Sequence, residues 1–474
     1  MVEGSDAERV GWSEILNGTH ASALLLVSLG VWLHAADSLI VATMLPSIVR
    51  DIGGEALVAW TVALYEIGSV VTGTAGALLA LRFGVRAPMA ATALIFTAGC
   101  LISAVAEAMP ILLIGRLLQG IGGGGLMALS FIAVSVLFPQ RLIARVMGAI
   151  ATMWGVSAFL GPLIGGFFVE YATWRIGFFA FAGQALVLAA WIAFGLKIGA
   201  RPDRSEASEH PPIGRLVILS AGVVMIAYGG IDIALFRTAA FVLAGVACLI
   251  VFLLLDGRQS KTRLLPTAPF DLRTPQGAAL VMIITFSAGT IAITAYGPLL
   301  VTIIHDASAL TAGYIIACSS IGWTVAAILV SGAPARRDPQ LIALGMAFVT
   351  ASILGFMWSV PNGPVWLIAI CAAMEGGGFG MAWTFILRRI TALTAPGETE
   401  RVPGAIPTVQ RLGYALGAAY IGIVANAAGF PSARTGPDFE SAARWIFIGC
   451  LPLAGLGIVA TISFIRPAKP KQNP

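Results

Sequence analysis

Apolar stretches about long enough to cross a bilayer recur some fourteen times along this 474-residue chain, and the repetition constrains the fold more than any single motif. A spanning helix needs ~20 apolar residues, and its backbone N–H and C=O groups must pair within the segment because lipid offers them no partner. The stretches lie at about 22–46, 57–81, 88–107, 110–137, 146–169, 175–196, 214–234, 238–255, 276–304, 309–333, 340–359, 364–387, 403–429 and 442–465. Charged residues make up 11% of the chain and apolar ones 58%, where a soluble domain carries ~25% charge, so the expected class is an all-α polytopic membrane protein.

Positive side chains collect on the cytoplasmic side of short loops. With the amino terminus inside, most of the 28 Lys and Arg residues fall in cytoplasmic loops, which predicts a multi-pass protein of the plasma membrane with both termini in the cytoplasm. The net charge of +5 follows from that bias; no basic tract lies outside the short loops, so nucleic acid is not an expected partner. Residues 1–21 carry Glu3, Asp6, Glu8 and Glu14 against one arginine, lack the basic start of a secretory signal, and read as a cytoplasmic tail. Six helices are expected over 22–197, linkers with two inserted helices over 198–275, six more helices over 276–466, and a second tail over 467–474.

An internal echo relates the two groups of six. At an offset of 254 residues, Gly122, Gly123, Gly124, Met127 and Ala128 fall on Gly376, Gly377, Gly378, Met381 and Ala382. Repeated halves around a midplane site are the plan of many secondary transporters.

The chemistry lies in the few ionisable groups within these stretches, where charge is costly unless it is paired or faces a polar cavity. Asp37 sits near the middle of the first stretch, where a carboxyl held away from water can take up and release a proton. His34, three residues earlier on the same helical face, could pair with Asp37 or share its proton. Arg116 could hold a nearby carboxylate and let it go when the two part, with Gln119 bracing it one turn on. Glu66 and Glu375 lie deep in their stretches, as substrate-facing anions, proton sites or bonded structural carboxyls, and Arg411 could partner Glu375. Asp37, Glu66, Tyr65, Trp154 and Glu375 would suit a cationic ligand through charge and cation–π contact. The glycine pairs Gly120/Gly124, Gly161/Gly165 and Gly413/Gly417 suggest close helix contact, and Pro162 removes a backbone hydrogen bond and can kink its helix.

Four stretches carry a family resemblance. LHAADSLIVATMLPSI (33–48) has Asp37 in an acidic place and closes on Leu45-Pro46; Arg116, Gln119 and Gly120 fit a basic motif; Gly161, Pro162, Gly165 and Gly166 fit GPxxGG, followed by Thr173-Trp174-Arg175; QRLGYALG (410–417) is similar to RQLGxxLG. In these the chain resembles the major facilitator superfamily, specifically its fourteen-helix drug:proton antiporter branch. The resemblance implies two six-helix bundles plus two inserted helices, no cofactor beyond a proton gradient, and a monomer exporting small lipophilic, often cationic molecules. It also implies that Arg116 acts in proton coupling and that the segment around Pro162 seals one conformation against leak. One departure stands out: ALLALRFGVR (77–86) keeps Arg82, Gly84 and Arg86 of the superfamily's GxLaDRxGRR loop, but Leu81 occupies the aspartate position, so the loop's usual gating contact is not expected.

Nothing competes as an enzyme. The chain has no GxxxxGK[ST], HExxH or GxSxG, and its five cysteines and four histidines show no metal-ligand spacing. An uncoupled facilitator, an exporter of an endogenous metabolite or lipid, and a non-transporting membrane sensor remain as alternatives.

Overall fold

The computed structural model describes residues 12–195, 212–259, 262–394 and 401–466, and all its regular structure is helical. A short turn α1 (Trp12–Ile15) leads into α2 (Gly18–Ile52), α3 (Trp60–Phe83), α4 (Arg86–Ala104), α5 (Met109–Leu137), α6 (Gln140–Tyr171) and α7 (Trp174–Ala190), which a π-helical turn extends to Gly195. Next come α8 (Ile213–Gly229) and α9 (Leu235–Gly257), then α10 (Pro275–Ile304), α11 (Ala309–Val330), α12 (Asp338–Asn362), α13 (Val365–Leu393), α14 (Arg401–Ala427), α15 (Gly436–Gly449) and α16 (Leu451–Ile465). Within the stretch 1–21 expected as a tail, the described residues are largely helical, with a turn at Trp12–Ile15 and the first long helix starting at Gly18. Residues 1–11, most of the first linker and the tail from 467 lie outside the described residues.

Among the described residues, twelve helices are long and apolar enough to cross a membrane, with α15 and α16 counted as one span over Gly436–Ile465. The expected stretches at 214–234 and 403–429 correspond to α8, an apolar helix of 17 residues, and to α14, which is not one of the twelve.

The helix ends follow local chemistry. The Thr274 side chain accepts a hydrogen bond from the Gly277 amide at 3.1 Å, and Pro275 stands in the first turn, where its missing N–H is not needed. Gly84 ends α3 at φ +74°, a left-handed backbone that glycine adopts without strain.

Packing repeats between the two sets of helices. The helix α5 lies against both α3 and α4, and α13 lies against both α11 and α12. Lipid is as apolar as a helix surface, so association depends on close approach, and glycine provides it. A Cβ on Gly68 of α3 would fall 2.6 Å from the Leu117 carbonyl oxygen of α5, while Gly120 and Gly124 of α5 lie against the backbone of Tyr65 and Ser69. In the second set, Gly376 and Gly380 of α13 press on the backbone of Ser319 and Trp323 of α11, and Gly378 on Gly345 of α12. The two helices are wedged in the same way, but the glycines that match by neighbour, Gly120 with Gly376, Gly122 with Gly378 and Gly124 with Gly380, are 256 residues apart, two out of register with the five-residue echo.

Between α2–α7 and α10–α16 the contacts run through α3 on α14, α6 on α11, and α2 on α10 and α11. They gather where α2 ends and α3 begins: Gly422 lies against Ala59, Gly166 against Leu310, Gly313 against Pro162 and Thr43, and Asn426 Nδ2 donates to the Ala56 carbonyl at 2.9 Å. Toward the other end of α6 and α11, Met147, Trp154, Val325 and Ile328 are exposed. The pair α8 and α9 pack on each other, α8 also rests on α14 and α3, and α9 is mostly exposed apolar surface.

Candidate functional site

The buried ionisable groups of α2, α3, α5 and α14 meet in one continuous network. Asp37 and Arg116 form an ion pair, with Nη1 donating to Oδ2 at 2.5 Å, and both side chains are almost fully buried at 2% and 3% exposure. Arg116 also donates from Nη1 to Gln119 Oε1 at 2.7 Å and from Nε to the Thr61 carbonyl at 3.2 Å. Its guanidinium carbon lies 4.5 Å from the centre of the Tyr65 ring, within cation–π range. Gln119 Nε2 in turn approaches Cys100 Sγ at 3.2 Å, so the amide is held at both ends. A guanidinium offers only donors and needs several acceptors when buried. Here a carboxylate, an amide and a backbone carbonyl serve as those acceptors, and the first of them balances its charge.

A second pair crosses from α14. Arg411 donates from Nη1 to Glu66 Oε2 at 3.2 Å, and its Nη2 lies 2.7 Å from His34 Nε2 and 3.1 Å from Met127 Sδ. Because arginine cannot accept, His34 Nε2 must be the acceptor, and the ring proton sits on Nδ1. That nitrogen is 2.9 Å from the Tyr65 hydroxyl, which donates to the His34 carbonyl at 3.2 Å. The chain of donors thus runs from Arg411 through His34 and Tyr65 and assigns one tautomer.

Two expected pairings differ. His34 does not pair with Asp37; its ring is taken by Tyr65 and Arg411, while Arg116 takes the carboxylate. Arg411 does not partner Glu375, because it reaches across to Glu66 instead. Glu375 Oε2 is buried with no hydrogen-bond partner among the described residues. Of the aromatic groups expected at a cavity, Trp154 is half-exposed, its ring nearly perpendicular to that of His34 at 6.1 Å between centroids. Tyr65 is buried behind His34 with hydroxyl and ring face both occupied.

The expected packing residues divide by neighbour. Gly120 and Gly124 seat α5 on α3; Gly161 and Gly165 seat α6 on Leu39, Ile40 and Thr43 of α2; Gly166 and Pro162 meet Leu310 and Gly313 of α11. At the far end of α3, Leu81 is exposed, Arg82 lies over the Phe83 ring, and Arg86 donates to the Ala193 carbonyl at the end of the π-helical turn. At the matching place in the second half an acid is present: Asp338, the first residue of α12, paired with Arg388 of α13. Composition could have flagged Asp338 and Arg388 as charges bordering apolar stretches. Thr61 and Cys100, which accept from Arg116 and Gln119, carry no such signal. No group of three or more His, Cys, Asp or Glu able to hold a metal ion occurs among the described residues.

The sequence profile of the Major Facilitator Superfamily matches residues 27–418. The chain belongs to that superfamily. It is thus a multi-pass membrane transporter and not an enzyme. A relative in Mycobacterium tuberculosis (strain H37Rv), named as a probable multidrug-efflux transporter, is 29% identical over 465 residues, 96% of each chain. The multidrug efflux pump SdrM of Staphylococcus aureus is 24% identical over 405 residues, 84% of this chain and 88% of its own. Among solved structures, a D-xylose-proton symporter superposes with a TM-score of 0.65 at 15% identity over 94% of this chain and 97% of its own. An inward-facing bacterial homologue of the lysosomal transporter Spinster gives 0.63 at 14% identity, over 94% and 98%. At such identities the shared property is the fold.

Proposed function

We propose that this protein is a proton-coupled antiporter that exports lipophilic cations by alternating access, in the fourteen-helix drug:proton branch of the superfamily. The observation that carries the reading is the sealed Asp37–Arg116 pair of α2 and α5, set beside a second carboxylate, Glu66, held from the opposite half. An acid that can exchange an arginine for a proton is a coupling device, and a neighbouring anion is a site for a cation. In this reading Asp37 carries the proton, Arg116 and Gln119 reset it, and Glu66, Trp154 and Glu375 face the substrate. The near full-length match to relatives named for multidrug efflux supports the direction of transport.

The remaining parts of the reading follow from the layout. Residues 22–197 and 276–466 form the two rocking bundles, the region 198–275 adds two spans that bring the count to fourteen, and the protein works as a monomer in the plasma membrane. With both termini cytoplasmic, the contacts between halves lie at the outer side and the structure corresponds to an inward-open state. The protein needs no cofactor and draws on the proton gradient.

The test is uptake of tetraphenylphosphonium into proteoliposomes with an acidic lumen. Accumulation against its gradient, lost on collapsing the pH difference and in Asp37→Asn, is the expected result. Equilibration that ignores the pH difference and survives Asp37→Asn would make the protein a facilitator instead.

A further inference from the structure

The two ion pairs differ in what a solute could do to them. Asp37 and Arg116 belong to one half and are sealed, with side chains 2% and 3% exposed. Glu66 and Arg411 come from opposite halves, and their side chains are 11% and 17% exposed. Every polar contact of the Arg411 guanidinium among the described residues lies across the seam, on Glu66, His34 and Met127. The half-exposed Trp154 borders the same place, its ring nearly perpendicular to that of His34. An anion, a thioether and an aromatic ring in a partly open position are what a lipophilic cation would use. In the structure the anion and the thioether hold a guanidinium.

We propose that Arg411 is a tethered counter-ion that occupies the cation position on Glu66, and that a cationic substrate binds by displacing it. The proposal rests on the cationic-substrate reading above and adds the residue that sets affinity. Two carboxylates and two guanidiniums balance in the network, so a further cation beside Glu66 is tolerated only when Arg411 withdraws. Withdrawal breaks bonds from α14 to α2, α3 and α5, so occupancy loosens contact between the halves. Binding and the onset of rearrangement are then one event, driven by differential affinity for the two arrangements.

The consequence is measurable. An arginine that fills the site nine-tenths of the time or more weakens apparent affinity by about tenfold or more. Equilibrium binding of radiolabelled tetraphenylphosphonium to the purified full chain in detergent is the experiment, with Arg411→Met and the milder Arg411→Gln as variants, each checked for a monodisperse size-exclusion profile. The expected result is binding about tenfold tighter than wild type in whichever variant stays monodisperse, with the gain abolished by adding Glu66→Gln. Binding by wild type that is unchanged or weaker in the folded Arg411 variants would overturn the counter-ion role while leaving the cationic-substrate reading intact. Tighter binding that survives Glu66→Gln would overturn it too, because the site freed would not be Glu66. Failure of wild type and all variants to bind the probe would sink the cationic reading, and this inference with it.

Discussion

The helices α5 and α13 occupy matching places, each wedged by glycine between two neighbours, yet they differ in what they carry. Matched by packing, with Gly120 on Gly376 and Gly124 on Gly380, the positions of Arg116 and Gln119 are held in α13 by Ala372 and Glu375, 256 residues on. The charge of α5 is paired and braced inside its own half. The one deep carboxyl of α13, Glu375, leaves an oxygen unpartnered. The loops reverse the pattern. Leu81 stands in the acidic position before α4, while Asp338 at the start of α12 holds Arg388. The two halves therefore share the packing and differ in electrostatics, with a sealed ion pair inside the amino-terminal half and the Asp338–Arg388 end contact in the carboxyl-terminal half.

The comparison breaks most visibly at Asp37. Replacing it with alanine strands a buried guanidinium, which costs about 3–5 kcal/mol. A large fall in thermal midpoint in detergent is expected, most of it recovered in Asp37→Ala/Arg116→Leu. A small fall would mean that Gln119 and the Thr61 carbonyl alone can carry Arg116. Next come the shared wedges. In Gly120→Ala and Gly376→Ala the new methyl meets the carbonyl of Tyr65 or Ser319, and overpacking of this kind costs roughly 1–3 kcal/mol. Equal losses in the two variants are expected by the same assay, and a neutral Gly376→Ala would show that the two wedges are not equivalent. Glu375→Gln is expected to cost less than the glycine variants, under about 1 kcal/mol, because its Oε2 gives up no hydrogen bond and the substitution keeps the side chain's shape. Smallest of all is Gly377→Ala, where the nearest atom stands 3.6 Å from the new Cβ; any clear loss there would mean that glycine serves α13 beyond clearance.

Much of this was legible from residues alone, for physical reasons that also mark the limit. Long apolar runs announced the helical class, and rare charges within them drew attention to Asp37, Arg116, Glu66 and Arg411, since lipid makes each such residue expensive. Their pairing was another matter. Arg411 and Glu66 are 345 residues apart, and only the approach of α14 to α3 chooses Glu66 over Glu375. His34 and Asp37 share a helical spacing that suggested a pair, but one turn of helix sends them to different partners in three dimensions. Backbone acceptors such as the Thr61 carbonyl leave no trace in residue type. The glycine echo was visible, but the register in which the glycines match as wedges required the neighbouring helices.

Under the proposed antiport, the proton exchanged for substrate belongs to the paired carboxylate of the amino-terminal half. The most direct test of this assignment is proton release from the purified protein in weakly buffered detergent on adding saturating tetraphenylphosphonium, compared among wild type, Asp37→Asn and Glu375→Gln. For protein first equilibrated at acid pH so that Asp37 holds a proton in place of Arg116, release is expected in wild type and in Glu375→Gln and none in Asp37→Asn. Release that persists in Asp37→Asn and vanishes in Glu375→Gln would contradict it and move the coupling site to α13.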